Sequence, residues 1–162
     1  MSVALHAGAR LRAMAEADLP AVVAIENAAQ PTPWSEAVFR DCLAGGYDCR
    51  VVEQQGELRA FVVLSSVLDE VHLLNIAVAP AAQRRGLAWA VLRELIAIYQ
   101  GRDMAQLYLE VRASNQPART LYERLGFSVI GQRRHYYRTA GGREDAILMA
   151  LSLSAPSRPG AP

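Results

Sequence analysis

Polar and apolar positions change period several times along the chain, and the changes divide it into elements. Residues 10–14 read as a short first strand. The acidic start Glu16-Ala17-Asp18 with an early Pro20 then opens a helix, whose one face carries Leu19, Val22, Ile25 and Ala29 before Pro31-Thr32-Pro33 stops it. Trp34-Ser35-Glu36 begins a second helix, with Ser35 as N-cap and Gly45-Gly46 as its end. From Cys49 the period falls to two. Residues 49–54 and 58–68, split by Gln55-Gly56, read as a hairpin. Residues 71–78 are apolar nearly throughout, as in a strand covered on both faces. A helical stripe of Leu87, Val91, Leu95 and Ile98 follows over about 84–100 and ends at Gly101. Residues 107–112 then alternate, with Leu107, Leu109 and Val111 on one face and Tyr108, Glu110 and Arg112 on the other. Strand, helix, strand at this spacing makes a right-handed crossover, so 71–78 and 107–112 are expected to lie parallel in an α/β fold.

Ser114-Asn115-Gln116-Pro117 is a further helix start, for a short helix over 118–125 that ends at Gly126. Residues 127–133 and 146–153 complete the sheet as an antiparallel pair joined across Thr139-Ala140-Gly141-Gly142. No repeat or second domain interrupts this order, so 1–153 reads as one domain and the Pro-, Ser- and Gly-rich 154–162 as a disordered tail.

Composition changes the picture mainly by exclusion. With 162 residues, 52% hydrophobic and 20% charged, one domain has enough apolar residues for a core. A formal charge of +1 gives no reason to expect a nucleic-acid or anionic-membrane partner. No continuous apolar stretch in residues 1–14 and no run of eighteen apolar residues directs export or insertion, so a cytoplasmic protein is expected. Cys42 and Cys49 form neither a C-x-x-C nor a ligand pattern; they are expected to be buried or free, and no metal is expected.

The candidate chemistry centres on the junction after residue 78. An apolar strand stops at Pro80, and a basic, glycine-containing turn, Gln83-Arg84-Arg85-Gly86-Leu87-Ala88, opens the long helix. Free N–H groups at a helix start, a glycine permitting close approach and flanking guanidiniums suit a phosphate or pyrophosphate, although an ordinary strand-to-helix turn fits the same letters. A Walker loop and a G-x-G-x-x-G fingerprint are both absent.

The turn resembles the pyrophosphate loop of the GNAT acetyltransferase superfamily, with Ala88 where glycine is commoner. Other stretches narrow the likeness to the bacterial ribosomal-protein alanine N-acetyltransferases of the RimI type. They are Pro33-Trp34-Ser35-Glu36; Leu74-Asn75-Ile76-Ala77-Val78; Leu109-Glu110-Val111-Arg112-Ala113-Ser114-Asn115 with Leu121-Tyr122-Glu123-Arg124-Leu125-Gly126-Phe127; and Arg133-Arg134-His135-Tyr136-Tyr137 with Gly142-Arg143-Glu144-Asp145-Ala146. The resemblance spans most of 10–153. It implies a mixed central sheet whose parallel strands splay apart, with acetyl-CoA as co-substrate. It implies that Ile76, Ala77 and Val78 pair with the pantetheine arm, and that Arg84, Arg85, Gly86, Leu87, Ala88 and Trp89 surround the pyrophosphate. The backbone N–H near Val78 would polarise the thioester carbonyl, and Asn115 would contact the cofactor as well as cap its helix.

By the same resemblance Glu110 is the general base and Tyr122 the general acid. An α-amine with a pKa of about 8 is mostly ammonium near neutrality and must lose a proton before it attacks. A carboxylate of ordinary strength removes that proton weakly, so a strengthening neighbourhood or a relay through water is implied. Full proton transfer from a phenol to a departing thiolate is uphill by roughly 2 kcal/mol, so a hydrogen bond to sulfur is the larger part of the Tyr122 role. From the residues alone, Glu110 reads rather as a solvent-facing strand residue and Trp34 as a core or staple aromatic, while Tyr122 fits a buried aromatic as well as an acid. Tyr136, Tyr137, Arg143, Glu144 and Asp145 are candidates for a peptide mouth, with Glu144 read as a solvated hairpin charge. Glu36, Asp69, Glu70, Glu144 and Asp145 could serve a basic acceptor. The acceptor implied is the N-terminal alanine of a small-subunit ribosomal protein, attacked directly rather than through an acyl-cysteine. Alternatives are transfer to protein lysines or a small amine, and a non-catalytic acyl-CoA-binding module.

Overall fold

A computed structural model describes residues 2–154. Most of the expected C-terminal tail, 155–162, lies outside the described residues. Among the described residues eight strands form one sheet: β1 (Val3–Ala4), β2 (Arg10–Ala13), β3 (Asp48–Gln54), β4 (Glu57–Val67), β5 (Glu70–Val78), β6 (Gln106–Arg112), β7 (Ser128–Thr139) and β8 (Gly142–Ser152). Their spatial order is β1-β2-β3-β4-β5-β6-β8-β7, and only β5 and β6 run parallel. Helices α1 (Leu19–Ala29) and α2 (Glu36–Ala44) cover one face, over a core containing Phe39, Val51, Phe61, Val63 and Ala77. Helices α3 (Leu87–Gly101) and α4 (Gln116–Arg124) cover the other, over Val62, Leu64, Val71, Leu92, Leu107 and Met149. Among the described residues no helix is long and apolar enough to cross a membrane.

Local sequence accounts for most of this. Gln55 and Gly56 both take positive φ (54° and 75°), the twist a two-residue hairpin turn needs. Ser35 Oγ accepts the Val38 N–H at 3.4 Å and caps α2. The alternation in β6 is realised as expected, with Leu107, Leu109 and Val111 buried. Three readings need correction. Helix α3 begins at Leu87 and not near 84, because Arg84 (φ 63°) and Gly86 (φ 74°) are left-handed and cannot be part of it. The buried face of α1 carries Leu19, Val22, Ile25 and Glu26, while Ala29 is exposed. Strands β7 and β8 extend to a two-residue turn at Ala140-Gly141 and are longer than expected.

Two irregularities re-aim side chains near the middle of the sheet and at its β7 edge. Val63 pairs with Asn75 and Leu64 with Leu73, so Leu74 is an extra residue in β5. The bulge reverses the phase of the strand. Val71 and Leu73 face α3 before it; after it Ile76 and Val78 face α3, and Ala77 joins the core under α1. In β7, Arg133 pairs with Ala146 and Tyr137 with Glu144, so Arg134, His135 and Tyr136 bulge out opposite Asp145 alone. Asp145 staples that bulge, accepting the His135 N–H at 2.9 Å and a hydrogen bond from the Gln132 side-chain amide.

Candidate active site

Parallel pairing of β5 with β6 stops at Leu73 and Leu109. Beyond that point β5 remains paired with β4 as far as Val78, and β6 with β8 as far as Arg112. Their facing edges therefore have backbone groups with no ladder partner, and a cavity of about 320 Å³ opens between them. Ile76, Ala77 and Val78 line it from one side and Glu110 from the other; Ala88, Asn115 and Tyr122 border it from the helices above. An extended ligand with amide groups could add there as an extra strand.

At one end of this gap stands the turn into α3. Gly86 is the N-cap residue, no side chain caps the helix, and the first helical bond runs from Ala90 N–H to the Gly86 carbonyl. The N–H groups of Leu87, Ala88 and Trp89 thus have no helical acceptor. Left-handed residues alternating through Arg84 and Gly86 curl the backbone in the manner of an anion-binding nest. Arg84, Arg85 and Gly86 are exposed. The Gln83 side chain donates to the Val78 carbonyl at 3.1 Å and ties this turn to the end of β5. The unpaired strand edges, the uncapped helix start and the cavity joining them fit the pantetheine arm and pyrophosphate of acetyl-CoA.

Tyr122 is buried, edge-on to Phe127 at 5.7 Å. Burial, then neighbouring Tyr137, pushes its hydroxyl up to about 12, so it is a donor throughout the neutral range. Asn115 Oδ1 accepts the Ala118 N–H at 3.3 Å, so the residue caps α4 and lines the cavity at once. Glu110 is paired with Arg133 at 3.4 Å. It also borders a second cavity of about 470 Å³ on the α1–α2 face, with Trp34, His72, Leu74, Tyr108, Ile130, Arg133, Tyr136 and Tyr137 among its walls. Glu110, Tyr137 and Trp34 are common to both cavities. Trp34 also packs on Phe39 at 5.3 Å, so its core role and its place in the site coexist.

The hairpin charges are committed elsewhere than expected. Glu144 is not solvated: Oε2 accepts the Ser114 N–H at 3.1 Å and Oε1 pairs with Arg112 at 3.2 Å, and these bonds hold its carboxyl below the usual range. Arg112 also donates to the Arg138 carbonyl at 2.8 Å and to Thr32 Oγ1 at 3.0 Å, and lies 4.5 Å over the Tyr137 ring. It straps the loop after α1 to the β7–β8 hairpin and seats Tyr137. Glu36 is paired with Arg40. Glu70 remains near the second cavity, 3.8 Å from His72.

Sequence reasoning missed Glu26. It is 1% exposed, lines the first cavity, and accepts hydrogen bonds on Oε2 from Trp34 N–H (3.0 Å) and Asn75 Nδ2 (2.9 Å). Gln30 donates to Asn75 Oδ1 at 3.2 Å and extends the chain of bonds. Leu19, Val22 and Glu26 fall at i, i+3 and i+7, a spacing that puts the carboxyl on the apolar stripe.

The chain is 49% identical over 137 residues to the ribosomal protein bS18-alanine N-acetyltransferase of Escherichia coli, which covers 85% of this chain and 93% of that protein. It is 38% identical over 144 residues to the protein of the same name from Haemophilus ducreyi, covering 88% and 99% respectively. The crystal structure of the Escherichia coli enzyme superposes with a TM-score of 0.87 at 45% identity, over 93% of this chain and 97% of that one. Residues 11–127 match the Acetyltransferase (GNAT) family. With the splayed strands, the uncapped turn and relatives of near-equal length, these matches lead to one conclusion: the chain belongs to the acetyltransferase (GNAT) family and takes its acetyl group from acetyl-CoA.

Proposed function

We propose that this enzyme acetylates the α-amine of an N-terminal alanine on a ribosomal protein, by direct attack in one ternary complex. The observation that carries the reading is the position of Glu110, which borders both the gap between β5 and β6 and the second cavity on the α1–α2 face. The gap receives the donor and the second cavity the acceptor chain, so Glu110 stands where amine and thioester meet. The relatives' names supply the acceptor class.

Acetyl-CoA supplies the activated acetyl group; the protein positions it and handles protons. The free edge of β5 from Ile76 to Val78 would hold the arm, and its unpaired backbone N–H groups could donate to the carbonyl oxygen, where negative charge develops. Residues Arg84 to Trp89 would hold the pyrophosphate, chiefly through backbone N–H groups. Glu110 takes a proton from the attacking nitrogen, directly or through one water. Tyr122, kept neutral by burial, donates to the departing sulfur. Asn115 borders the arm from the start of α4. The acceptor's first side chain enters between Trp34, Leu74 and Tyr137, where a bulky group would push the nitrogen out of attack distance.

The test compares two peptides with downstream arginines, one beginning with a free alanine and the other N-terminally blocked but carrying lysines. The free-alanine peptide is expected to gain one acetyl group at its α-amine, located by tandem mass spectrometry, at a much higher rate. Equal rates on both would assign the enzyme to lysines instead.

A further inference from the structure

Glu26 is a carboxyl group inside the site with no counter-ion. Its Oε1 is buried without a hydrogen-bond partner, and no ion pair reaches it among the described residues. A carboxylate taken out of water without a cation is strongly disfavoured, and such groups are retained where something else completes them. Burial accordingly pushes the Glu26 carboxyl upward, against the two hydrogen bonds on Oε2. Those two bonds also fix which oxygen is free. Oε2 is occupied by the donors from Trp34 and Asn75, so a proton or an incoming N–H can be accepted only on Oε1.

The other charged groups around this cavity are already matched. Arg112 is held by Glu144, Thr32 and the Arg138 carbonyl, and Glu110 by Arg133. Tyr122 and Tyr137 are each pushed up to about 12 and stay neutral. Cys42 and Cys49, in the core beneath α1 and α2, are pushed up by burial and stay thiols. Asp18, at the N-terminal end of α1, is paired with Arg12. Among the described residues no cation on α1, α2, β4 or β5 pairs with Glu26.

We propose that Glu26 is a second acidic group of the acceptor site, and that its Oε1 receives the α-ammonium of the incoming chain. The inference rests on the reading of the acceptor as an amine. The ammonium is the cation the buried carboxylate lacks, and its arrival converts an unfavourable group into a hydrogen-bonded ion pair. One proton passes from nitrogen to Oε1 and leaves the nitrogen lone pair free; it later returns to solvent. As the N–C bond forms and the C–S bond breaks, a second proton leaves nitrogen for Glu110. The departing thiolate, hydrogen-bonded by Tyr122, takes up a proton from solvent, and Glu110 returns its proton to solvent. Two acidic groups thus divide two protons, and the burial of Glu26 suits it to the first, which must come from an ammonium of pKa about 8.

Glu26→Gln isolates this role, because the amide oxygen can still accept from Trp34 and Asn75 while Oε1 is replaced by a group that cannot take a proton. Calorimetric binding to CoA-loaded protein compares an alanine-first peptide with its N-acetylated form. The wild type is expected to bind the free amine at least tenfold more tightly, and Glu26→Gln to lose most of that preference with its thermal midpoint and acetyl-CoA affinity retained. In turnover, the deficit in kcat/KM should exceed tenfold at pH 6.5 and shrink toward pH 9, where the free amine predominates. A wild type without preference for the free amine, or a variant that keeps the preference, overturns the proposal. A deficit equal at every pH, with a lowered thermal midpoint, also overturns it and makes Glu26 structural. Turnover of the alanine-first peptide is read separately, so failure of the acceptor class is distinguishable from failure of Glu26.

Discussion

Gly86 has φ +74°, and an added Cβ would meet no heavy atom within 4 Å, so substitution there acts on the protein through the backbone alone. An L-residue held in the left-handed region costs about 1–2 kcal/mol, with β-branched side chains at the upper end. The free protein can escape that cost by letting the turn relax, since no side chain caps the start of α3. The N–H groups of Leu87, Ala88 and Trp89 then no longer converge, and acetyl-CoA has to restore the turn as it binds. Apparent affinity falls by the fraction of molecules still in the competent form. About 2 kcal/mol corresponds to about a thirtyfold rise in Kd for Gly86→Val, with a smaller rise for Gly86→Ala. Calorimetric titration with acetyl-CoA, beside a thermal denaturation, measures both. If the two variants bind like the wild type, the left-handed turn is not what holds the cofactor, and Arg84 to Trp89 leave the site.

Glu110→Gln should lower kcat by about 10² or more in a thiol-release assay with little change in acetyl-CoA affinity; wild-type turnover across a pH series would remove it as base. Tyr122→Phe should cost less, because it removes a hydrogen bond to sulfur and not an obligatory acid. Arg112→Ala should raise the peptide KM about tenfold without altering the acetyl-CoA Kd, since it frees Tyr137 and the loop at Thr32 together; a change in cofactor affinity instead would contradict the strap. Tyr122, Tyr137 and Cys49 are each raised to about 12 by burial, above their unfolded values, so their contribution to stability is complete below those values and lost as pH climbs through the folded ones. The thermal midpoint should therefore fall between about pH 9 and 12, less steeply above pH 10 in Tyr122→Phe, and a flat profile would contradict the burial of these groups.

Where one physical signal dominates, the letters read directly. Gln55-Gly56 specifies a turn, the alternation from Leu107 to Arg112 specifies a half-buried strand, and Leu87, Val91 and Leu95 specify the buried side of α3. The phase of β5 was hidden, because a run apolar on both faces looks the same with or without an extra residue at Leu74. Tyr99 was missed beside Ile98, although its fully buried ring delivers a hydroxyl to Asp48 at the far end of the helix. Glu26 and Glu144 escaped for one reason: a carboxyl on a helix or hairpin reads as solvated until its partners, distant in sequence, are known. Glu144 is bonded thirty residues back to Ser114, and Glu26 forty-nine residues on to Asn75. Glu110 and Tyr122 were singled out through family likeness, and their periodicity alone would have left both as ordinary strand and core positions.

The four paired positions between β5 and β6 have a mechanical consequence. They are the whole ladder joining two half-sheets, β1 to β5 and β6 to β8, so the middle of the molecule is a seam that opens beyond Leu73 and Leu109. A donor held there as proposed would fill the seam and add to the sheet along the β5 edge. Because only the folded chain offers the seam, ligand at a hundred times its Kd adds about 2.7 kcal/mol by mass action. Amide hydrogen exchange should register this as slowed opening of Leu74–Val78 and Glu110–Arg112 on loading, with the outer strands β2 and β3 little changed. A donor bound as proposed would in this sense be the central strand of the sheet, one the enzyme borrows for each turnover.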